Sequence, residues 1–295
     1  MFRAGFATIG ILALGLPLLA QQPGGVIPVP GSQQPSGLRP GGIPVSGGGQ
    51  VQPAAPVDPK LLAHLQAWEE RMKSISNVVC KAEKVANDNV MKRQITKDAA
   101  DILCMKPNFA FMKVVRTPVV QPDDAKFFTT WICDGKSIHQ YSGAQKEYQE
   151  FKLAANGNIQ GNLLLEFISG SMTAAAAMQR FDIKLIGEDN NYVYLNIKPK
   201  LVGDREDFED MTLVFYGPKL PPTLEHIRYL PAMVKMTKNG NKEEEVWTFK
   251  QPQVNVKGLT PDTFKKQDLP AGWKVGKSAA APSTTSQTNP RVIRP

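Results

Sequence analysis

Residues with the chemistry for metal binding or acid–base catalysis are scattered along the 295-residue chain and form no recognisable motif. The three histidines, His64, His139 and His226, are far apart and match no spacing that is typical of a zinc site. The sequence also lacks a nucleophile elbow, a phosphate-binding loop and a dinucleotide-binding glycine motif. We therefore expect no catalytic residue, no metal ion and no cofactor, and a protein that is not an enzyme.

One acidic cluster stands out, comprising Asp204, Glu206 and Asp207 followed by Glu209 and Asp210. Carboxylate oxygens at this density can bind a hard cation, but the glycine and terminal glutamate of an EF-hand loop are absent. A solvated acidic turn before a strand is the favoured interpretation. An uncharacterised periplasmic enzyme remains an alternative, and turnover would then depend on Asp204, Asp207 or His139.

The three cysteines, Cys80, Cys104 and Cys133, contain no CxxC pair. Cysteines in strands are commonly small buried apolar residues, and that is the favoured interpretation. In an oxidising compartment, two of the three can instead form a disulfide and leave one thiol free. Cys80 and Cys104 are the candidate pair.

The N-terminal 20 residues have the order of a secretory signal peptide. Arg3 precedes an uncharged apolar run from Ala4 to Leu19, and Ala20 offers a small residue for cleavage. The run contains Pro17 and is shorter than the ~20 apolar residues that span a bilayer. We expect export to the periplasm or the cell exterior, with no transmembrane span in the mature chain.

Composition divides the remainder of the chain into three parts. Residues 21–57 are rich in Pro and Gly and almost without charge, which predicts a disordered linker. Residues 276–295 form a second low-complexity tail, so residues 58–275 are the predicted folded domain. All 27 acidic and 30 of the 35 basic residues fall between Asp58 and Lys274, so the domain itself has a charge near +3. Without a basic face interleaved with aromatic residues, we expect no nucleic-acid partner.

The domain opens with an amphipathic helix of about 16 residues. Asp58 and Pro59 give an N-cap and a first-turn proline, and apolar residues then recur at helical spacing from Leu61 to Ile75. About ten strands with short connections follow, which indicates an antiparallel sheet. Two short helices interrupt them, at Leu163–Ile168 and Met172–Gln179. The predicted strands include Phe109–Val115, Tyr192–Ile197, Leu224–Tyr229, Met233–Lys238 and Glu244–Lys250.

This pattern predicts an α+β fold: a curved antiparallel sheet, or open half-barrel, covered by the N-terminal helix and the short inserted helices. Local patterns in the same region resemble the LolA-type lipoprotein carriers, which have an open barrel closed by helices and carry lipidated proteins across the periplasm. They are KPNF at Lys106–Phe109, DGK at Asp134–Lys136, IKPK at Ile197–Lys200 and LPAGWKV at Leu269–Val275. Other stretches resemble a group of uncharacterised exported paralogues from planctomycete-type bacteria, at Leu65–Met72, Met172–Asp182 and Asp204–Phe208.

The chain departs from the carrier pattern at Lys106. The carriers typically have an arginine there, which helps to lock the helical lid over the cavity. Lysine keeps the positive charge but lacks the planar fork of donors that can hold several carbonyl groups at once. Lid locking of the carrier kind is therefore not implied by the resemblance.

The resemblance implies an apolar cavity between sheet and helices that holds a lipid or a lipidated peptide without a covalent bond. Eight apolar side chains are the candidate lining: Phe111, Trp131, Phe167, Met172, Phe215, Met236, Trp247 and Phe249. Methionine suits such a site because its side chain is flexible and polarizable. The alternative is a non-catalytic interaction or scaffold module of the cell envelope, with an envelope protein as partner and these side chains as a filled core.

Overall fold

The structure, a computed structural model, describes residues 57–118, 126–153, 163–276 and 279–280. The predicted signal peptide (1–20), nearly all of the linker (21–57) and most of the tail (276–295) lie outside the described residues. That division of the chain stays a prediction.

The first element is the predicted amphipathic helix, α1 (Pro59–Ser74). Its N-cap is Asp58, whose carboxylate accepts a hydrogen bond of 2.9 Å from the backbone N–H of Lys60. Its buried residues are Leu61, Leu65, Trp68 and Met72, which recur at the helical spacing that the sequence predicts.

Thirteen strands in the described part of the chain belong to one sheet. They are β1 (Asn77–Asp88), β2 (Arg93–Met105), β3 (Phe109–Arg116), β4 (Phe128–Asp134), β5 (Ser137–Ser142), β6 (Glu147–Lys152), β7 (Phe181–Glu188), β8 (Tyr192–Pro199), β9 (Asp210–Tyr216), β10 (Pro231–Lys238), β11 (Glu243–Val254), β12 (Lys274–Val275) and β13 (Ala279–Ala280). The strand order is β12-β6-β5-β4-β3-β2-β1-β11-β10-β9-β8-β7, with β13 also paired to β6. The two ends of this order do not pair, so the sheet is open, as predicted. Every pairing is antiparallel except those of β12 and β13 with β6.

Two short helices, α2 (Leu163–Ser169) and α3 (Ala174–Arg180), lie between β6 and β7 in the chain, close to their predicted positions. Three short 3-10 helices follow at Gly203–Glu206, Pro222–Ile227 and Pro261–Phe264. No helix in the described ranges is long and apolar enough to cross a membrane.

The predicted strand at Leu224–Tyr229 is wrong, because most of this segment is the 3-10 helix Pro222–Ile227. Pro221 precedes this helix and Pro222 is its first residue, and proline has no N–H to donate to a strand ladder. The other elements confirm the predicted class, an α+β protein with a curved open antiparallel sheet and a few covering helices.

Each side of the sheet has its own apolar cluster. The helix face carries α1, α2 and a large cluster that includes Ile102, Met112 and Leu195. The outer face carries a smaller cluster of Ile132, Tyr141, Tyr148 and Phe264. Because the C-terminal residues after β11 contribute Phe264, Leu269 and Trp273 to it, the end of the domain covers the outer face.

Candidate ligand-binding face and the contacts around it

Trp68 of α1 lies at the centre of the helix face and is 0 % exposed. Its ring centroid is 5.9 Å from that of Phe215 in β9 and 5.8 Å from that of Phe167 in α2. Aromatic rings at such distances are in contact and stabilise the packing beyond the burial of their area. Trp68 therefore joins α1, α2 and the sheet into one core.

Seven of the eight candidate lining residues lie on the helix face. Five of them are buried in its cluster: Phe167, Met172, Phe215, Trp247 and Phe249. The other two, Trp131 and Met236, are partly buried and pack against the same cluster.

Phe111, the eighth candidate, is on the outer face, where it packs against the cluster around Ile132 and Tyr141. Its neighbours Ala110 and Met112 take the helix face, since successive residues of a strand point to opposite sides. The structure therefore places Phe111 apart from the other seven candidates, on the far side of the sheet.

The part of the helix face beneath α1 and α2 is filled by the chain's own atoms. Phe215 is 1 % exposed, Phe167 and Phe249 are 3 % exposed, and Trp247 is 5 % exposed. Side chains covered this completely are in contact with protein on nearly all sides. A ligand could reach this part of the helix face only if α1 or α2 moved.

A different part of the helix face is less covered. Val114, Trp131, Phe151 and Leu153 belong to β3, β4, β6 and the residue that follows β6, and all four are only partly buried against the main cluster. We call these four residues the Trp131 patch. In the ladder Trp131 lies opposite Gln140, which lies opposite Gln149, so amide side chains border the patch on the same face.

The indole Nε1 of Trp131 is buried and has no hydrogen-bond partner among the described residues. The same is true of Nε1 of Trp68. A buried N–H without an acceptor costs about 1–3 kcal/mol, and buried tryptophan usually finds a partner. The patch therefore combines apolar surface with one unused hydrogen-bond donor, which is the kind of surface that an apolar molecule with a carbonyl group would satisfy.

Lys106 and Glu69 make polar contacts at the C-terminal half of α1. Lys106 Nζ donates hydrogen bonds to the carbonyl oxygens of Met72 at 2.5 Å and Lys73 at 3.1 Å. On the opposite side, the carboxylate of Glu69 accepts a 2.9 Å bond from the backbone N–H of Ala174, at the start of α3. That bond, together with Lys73, lowers the pKa of Glu69. One lysine therefore bridges two carbonyl groups of the covering helix without the planar fork of an arginine.

Contacts with Glu188, at the end of β7, and with the segment between β9 and β10 hold the other side of α1. His64 Nε2 lies 2.8 Å from Glu188 Oε2, and Nδ1 lies 3.2 Å from the hydroxyl of Tyr229. Arg71 Nη2 donates a 2.6 Å bond to the carbonyl oxygen of His226. The hydrogen bond from His64, followed by that from Lys60, lowers the pKa of Glu188. His64 and His226 therefore serve to attach the helix.

The acidic cluster before β9 contains a buried ion pair. Arg180, at the end of α3, donates 2.8 Å bonds from Nε and Nη2 to the two carboxylate oxygens of Asp204, and a third from Nη1 to Glu166 of α2. Asp204 is 1 % exposed, so the expectation of a solvated turn is wrong at this residue. A bidentate arginine can hold a carboxylate out of water, and spacing along the sequence does not reveal such a partner.

His139 is 3 % exposed on the outer face. Its Nε2 lies 3.0 Å from Asp134 Oδ2 and its Nδ1 lies 2.9 Å from the hydroxyl of Tyr148, which donates to Glu150 at 3.1 Å. Burial first, and then Glu150, raises the pKa of Tyr148 to about 12. These enclosed groups bond to one another across β4, β5 and β6, which makes them a structural link between strands.

All three cysteines are buried free thiols in the structure. Cys80 is opposite Ile102 and Cys104 is opposite Val78, so the two candidate partners are diagonal neighbours and do not face each other. Burial raises the pKa of all three thiols, to about 12 for Cys80 and about 11 for Cys133. In the described ranges no three His, Cys, Asp or Glu side chains are grouped so as to hold a metal ion.

No protein-family model and no curated protein matches this sequence. Solved structures with a similar course of the chain include an uncharacterized conserved protein from Thermus thermophilus, with 10 % identity, a TM-score of 0.41, and coverage of 72 % of this chain and 97 % of the other. LprF from Mycobacterium bovis has 12 % identity, a TM-score of 0.38, and coverage of 69 % and 98 %. A LolA superfamily protein from Nitrosomonas europaea has 10 % identity, a TM-score of 0.33, and coverage of 68 % and 97 %. Likeness at this level assigns neither a ligand nor an activity to this chain, and membership of the planctomycete-type group stays a prediction.

Proposed function

We propose that this protein is an exported, non-catalytic carrier that holds one acyl chain of a lipid or lipidated peptide against the Trp131 patch. The single observation that carries the proposal is the buried Nε1 of Trp131, which has no hydrogen-bond partner in the described part of the chain and lies within partly buried apolar surface. The acyl chain covers Val114, Phe151 and Leu153, and its ester or amide carbonyl accepts the indole N–H.

Burial supplies the affinity in this proposal. Each methylene group removed from water contributes about 0.8 kcal/mol, so an acyl chain can bind without any charged or catalytic group. Pairing the Trp131 donor with a carbonyl also removes the cost of leaving that N–H without an acceptor, about 1–3 kcal/mol. The first contribution grows with chain length, and the second selects ligands that carry a carbonyl close to the chain.

The patch is preferred to the space beneath α1 because of the difference in burial. Phe215 and Phe249 are almost fully covered by protein, whereas Trp131 and Val114 keep part of their surface accessible. A ligand at the patch displaces no helix, but its carbonyl reaches the buried Nε1 of Trp131 only when the side chains over that atom move aside. A guest beneath α1 must first break the bonds that Lys106 and His64 make with the helix and its surroundings.

Binding of two lysophospholipids with chains of the same length by the full chain tests the proposal. One lipid has an ester-linked chain and the other a hexadecyl ether, which lacks the carbonyl group. The wild type is expected to bind the ester about tenfold more tightly than the ether, the ratio that one additional hydrogen bond provides. Native mass spectrometry of protein purified from membrane-containing lysate is expected to show retained lipid.

Trp131→Phe replaces the indole by a smaller aromatic ring without an N–H, and it is expected to bind the two lipids equally. The matched control is Trp273→Phe, because Trp273 packs on the outer face and its replacement should leave the ester preference intact. An ester preference that survives in Trp131→Phe would show that this indole is not the anchor. Failure of the wild type to bind either lipid would overturn the carrier function itself.

A second candidate function, the interaction module of the cell envelope, is favoured by one observation. Four of the predicted lining residues, Phe167, Phe215, Trp247 and Phe249, are packed as in an ordinary core. A protein of this kind would purify without lipid and would bind neither lysophospholipid.

A further inference from the structure

The Trp131 patch borders on an arginine. Val114, one of the four residues of the patch, and Arg116 belong to the same strand, β3, and residues two positions apart in a strand point to the same face. Val114 packs against the main cluster on the helix face, so Arg116 lies on that face as well, next to the patch. Binding sites for small molecules commonly combine apolar surface with a few fixed polar groups that orient the ligand, and Arg116 is placed to be such a group.

Two neighbouring residues hold the guanidinium group of Arg116. Asp98 of β2 pairs with Arg116 in the ladder, and its Oδ1 accepts a 3.1 Å hydrogen bond from Arg116 Nε. The guanidinium carbon lies 5.2 Å from the ring centroid of Phe127, the residue before β4. The backbone N–H of Arg116 also donates a 3.0 Å bond to the carbonyl oxygen of Phe127. The position of the arginine is therefore set by the strands on both sides of it.

The two terminal nitrogens of Arg116 remain available to a ligand. Nη1 and Nη2 form no hydrogen bond with any of the described residues, and the side chain is 32 % exposed. A guanidinium group presents its N–H donors in a planar fork, which can bind two oxygens of one phosphate group at once. Because Nε is bonded to Asp98, the free fork is formed by Nη1 and Nη2.

The charges beside Arg116 balance. Asp98 offsets Arg116 itself, and Lys84, which lies opposite Asp98 in the β1–β2 ladder, forms a 3.1 Å ion pair with Glu245. An anionic group is therefore not attracted here by an excess of positive charge, and its recognition depends on the two Nη donors. A phosphodiester in a headgroup without net charge suits such surroundings.

Other polar residues at the border of the patch are engaged or point elsewhere. The amide of Gln149 donates a 3.0 Å bond to Glu147, and Glu147 lies opposite Lys274 in the β6–β12 ladder. Lys113 precedes Val114 and points to the outer face, where its Nζ lies 5.7 Å from the ring centroid of Phe128. None of these residues provides what Arg116 provides, a charged fork of free donors on the face of the patch.

We infer that Arg116 binds the phosphodiester group of a phospholipid whose acyl chain lies on the Trp131 patch. This inference rests on the carrier function proposed above, and it selects a phospholipid over a lipidated peptide, which has no phosphate. Trp131 pairs with Met112, and Arg116 is four residues further along β3, a separation of about 13 Å at 3.3 Å per residue. The two long side chains shorten this gap, and the glycerol unit of the lipid joins the carbonyl at Trp131 to the phosphate at Arg116.

Binding of two ligands with the same palmitoyl ester by the full chain tests this inference. Lysophosphatidylcholine carries a phosphodiester and has no net charge, whereas monopalmitoylglycerol lacks the phosphate. The wild type is expected to bind the lysophospholipid at least about tenfold more tightly, because two charge-assisted hydrogen bonds are added. Arg116→Gln should bind the two ligands equally and should keep the preference for ester over ether that depends on Trp131.

Inorganic phosphate distinguishes a lipid headgroup from a free anion as the source of the phosphate group. It offers the same oxygen acceptors without an acyl chain, so an equal concentration of it should leave the lysophospholipid bound to the wild type. Displacement of the lipid under this condition would show that the site takes the free anion, and it would overturn the assignment to a phospholipid.

The matched control is Arg228→Gln. The side chain of Arg228 is also 32 % exposed and also bonds to one carboxylate, that of Glu225, but it lies in the segment between β9 and β10. This control removes the same charge and should keep the wild-type ratio of affinities. An unchanged ratio in Arg116→Gln, or an equal loss in both variants, would overturn the inference.

Arg116→Lys is the second variant, for the case that Arg116→Gln shows no cooperative unfolding in urea. Lysine keeps a positive charge beside Asp98 but lacks the fork, so the ratio should fall to about threefold or less. A ratio as large as that of the wild type would contradict the role of the fork. A wild type that binds both ligands equally overturns this inference alone, whereas a wild type that binds neither overturns the carrier function.

Discussion

The ammonium group of Lys106 lies 2.5 Å from the carbonyl oxygen of Met72, and the same nitrogen reaches the carbonyl oxygen of Lys73 at 3.1 Å. The residue at the end of β2 thereby caps the C-terminal end of α1, where the last carbonyl groups of a helix have no partner within the helix. Partial burial lowers the pKa of Lys106. The covering helix and the sheet are joined here by one flexible side chain.

Lys106→Met should lower the free energy of unfolding by about 1–3 kcal/mol, because two carbonyl groups lose a charged donor while most of the apolar part of the side chain is kept. Lys106→Arg should retain most of the stability. Urea unfolding followed by circular dichroism measures both. Lys219→Met, at an exposed lysine, is the control, and a loss as large there would show that the effect is not specific to the cap.

Gly170→Ala should be more destabilising than an ordinary glycine replacement. Gly170 has φ +66°, and an added Cβ would lie 2.6 Å from Cβ of Met72 in α1. The left-handed backbone costs about 1–2 kcal/mol and the overlap about 1–3 kcal/mol more. Gly240→Ala has nearly the same φ, +64°, with nothing within 4 Å, so it measures the backbone cost alone. Equal losses in the two variants would contradict the close approach of Gly170 to α1.

Arg180→Leu should destabilise the protein by about 3–5 kcal/mol, because it leaves the buried carboxylate of Asp204 without its bidentate partner. The neighbouring exposed Arg205 provides the control, and Arg205→Leu should change the unfolding free energy by less than about 0.5 kcal/mol. Denaturant titration of the two variants checks the difference. Similar small effects would mean that the ion pair is open in solution.

Stability should decrease in acid partly through Glu245. Burial alone would raise the pKa of this carboxyl, but attraction by Lys84 and Lys238 and the 2.6 Å bond from Trp247 Nε1 outweigh it and hold the pKa below 4.5. A lowered pKa in the folded state means that the contribution is complete above the ordinary pKa and is lost as the pH falls through the folded-state value.

Glu245→Gln should therefore be less stable than the wild type near neutral pH, and the difference should shrink as the pH falls below 4.5. Urea midpoints measured across the acid range test this. Glu243→Gln, at an exposed side chain of the same strand, should follow the wild-type profile. A constant difference between Glu245→Gln and wild type at every pH would refute the assignment.

Thiol counting distinguishes the two interpretations of the cysteines. With three free buried thiols of raised pKa, the native protein should react slowly with a thiol reagent, and the denatured, unreduced protein should show three reactive groups. A count of one in the denatured exported protein would reveal a disulfide.

Local patterns were sufficient for the elements that depend on neighbouring residues. Asp58 and Pro59 marked the start of α1, and the spacing of Leu61, Leu65 and Trp68 gave its buried side. The Asn239-Gly240 turn between β10 and β11 also depends on local properties, because both residues have positive φ, which Asn and Gly adopt readily. The antiparallel class of the sheet followed from short connections for the same reason.

Local sequence patterns predicted the candidate site only in part. β3 reads as apolar on both sides, with Ala110 and Met112 alternating with Phe109 and Phe111, so alternation could not tell which side the helices cover. In the structure, α1 packs on one face of the sheet, and the segment that follows β11 packs on the other. The sequence likewise could not predict that the indole N–H of Trp131 lacks an acceptor among the described residues, because this depends on which atoms surround the ring.

The sequence by itself determined the positions of the helices, most of the strands and the turns between them, since these follow from spacing within a few residues. Only the tertiary structure decided that Asp204 meets Arg180, that Lys106 caps α1, and that β12 pairs with β6 in parallel. Each of these contacts joins residues that are at least 24 positions apart. Their existence depends on strand register and on which surfaces are buried together, and those are properties of the whole folded chain.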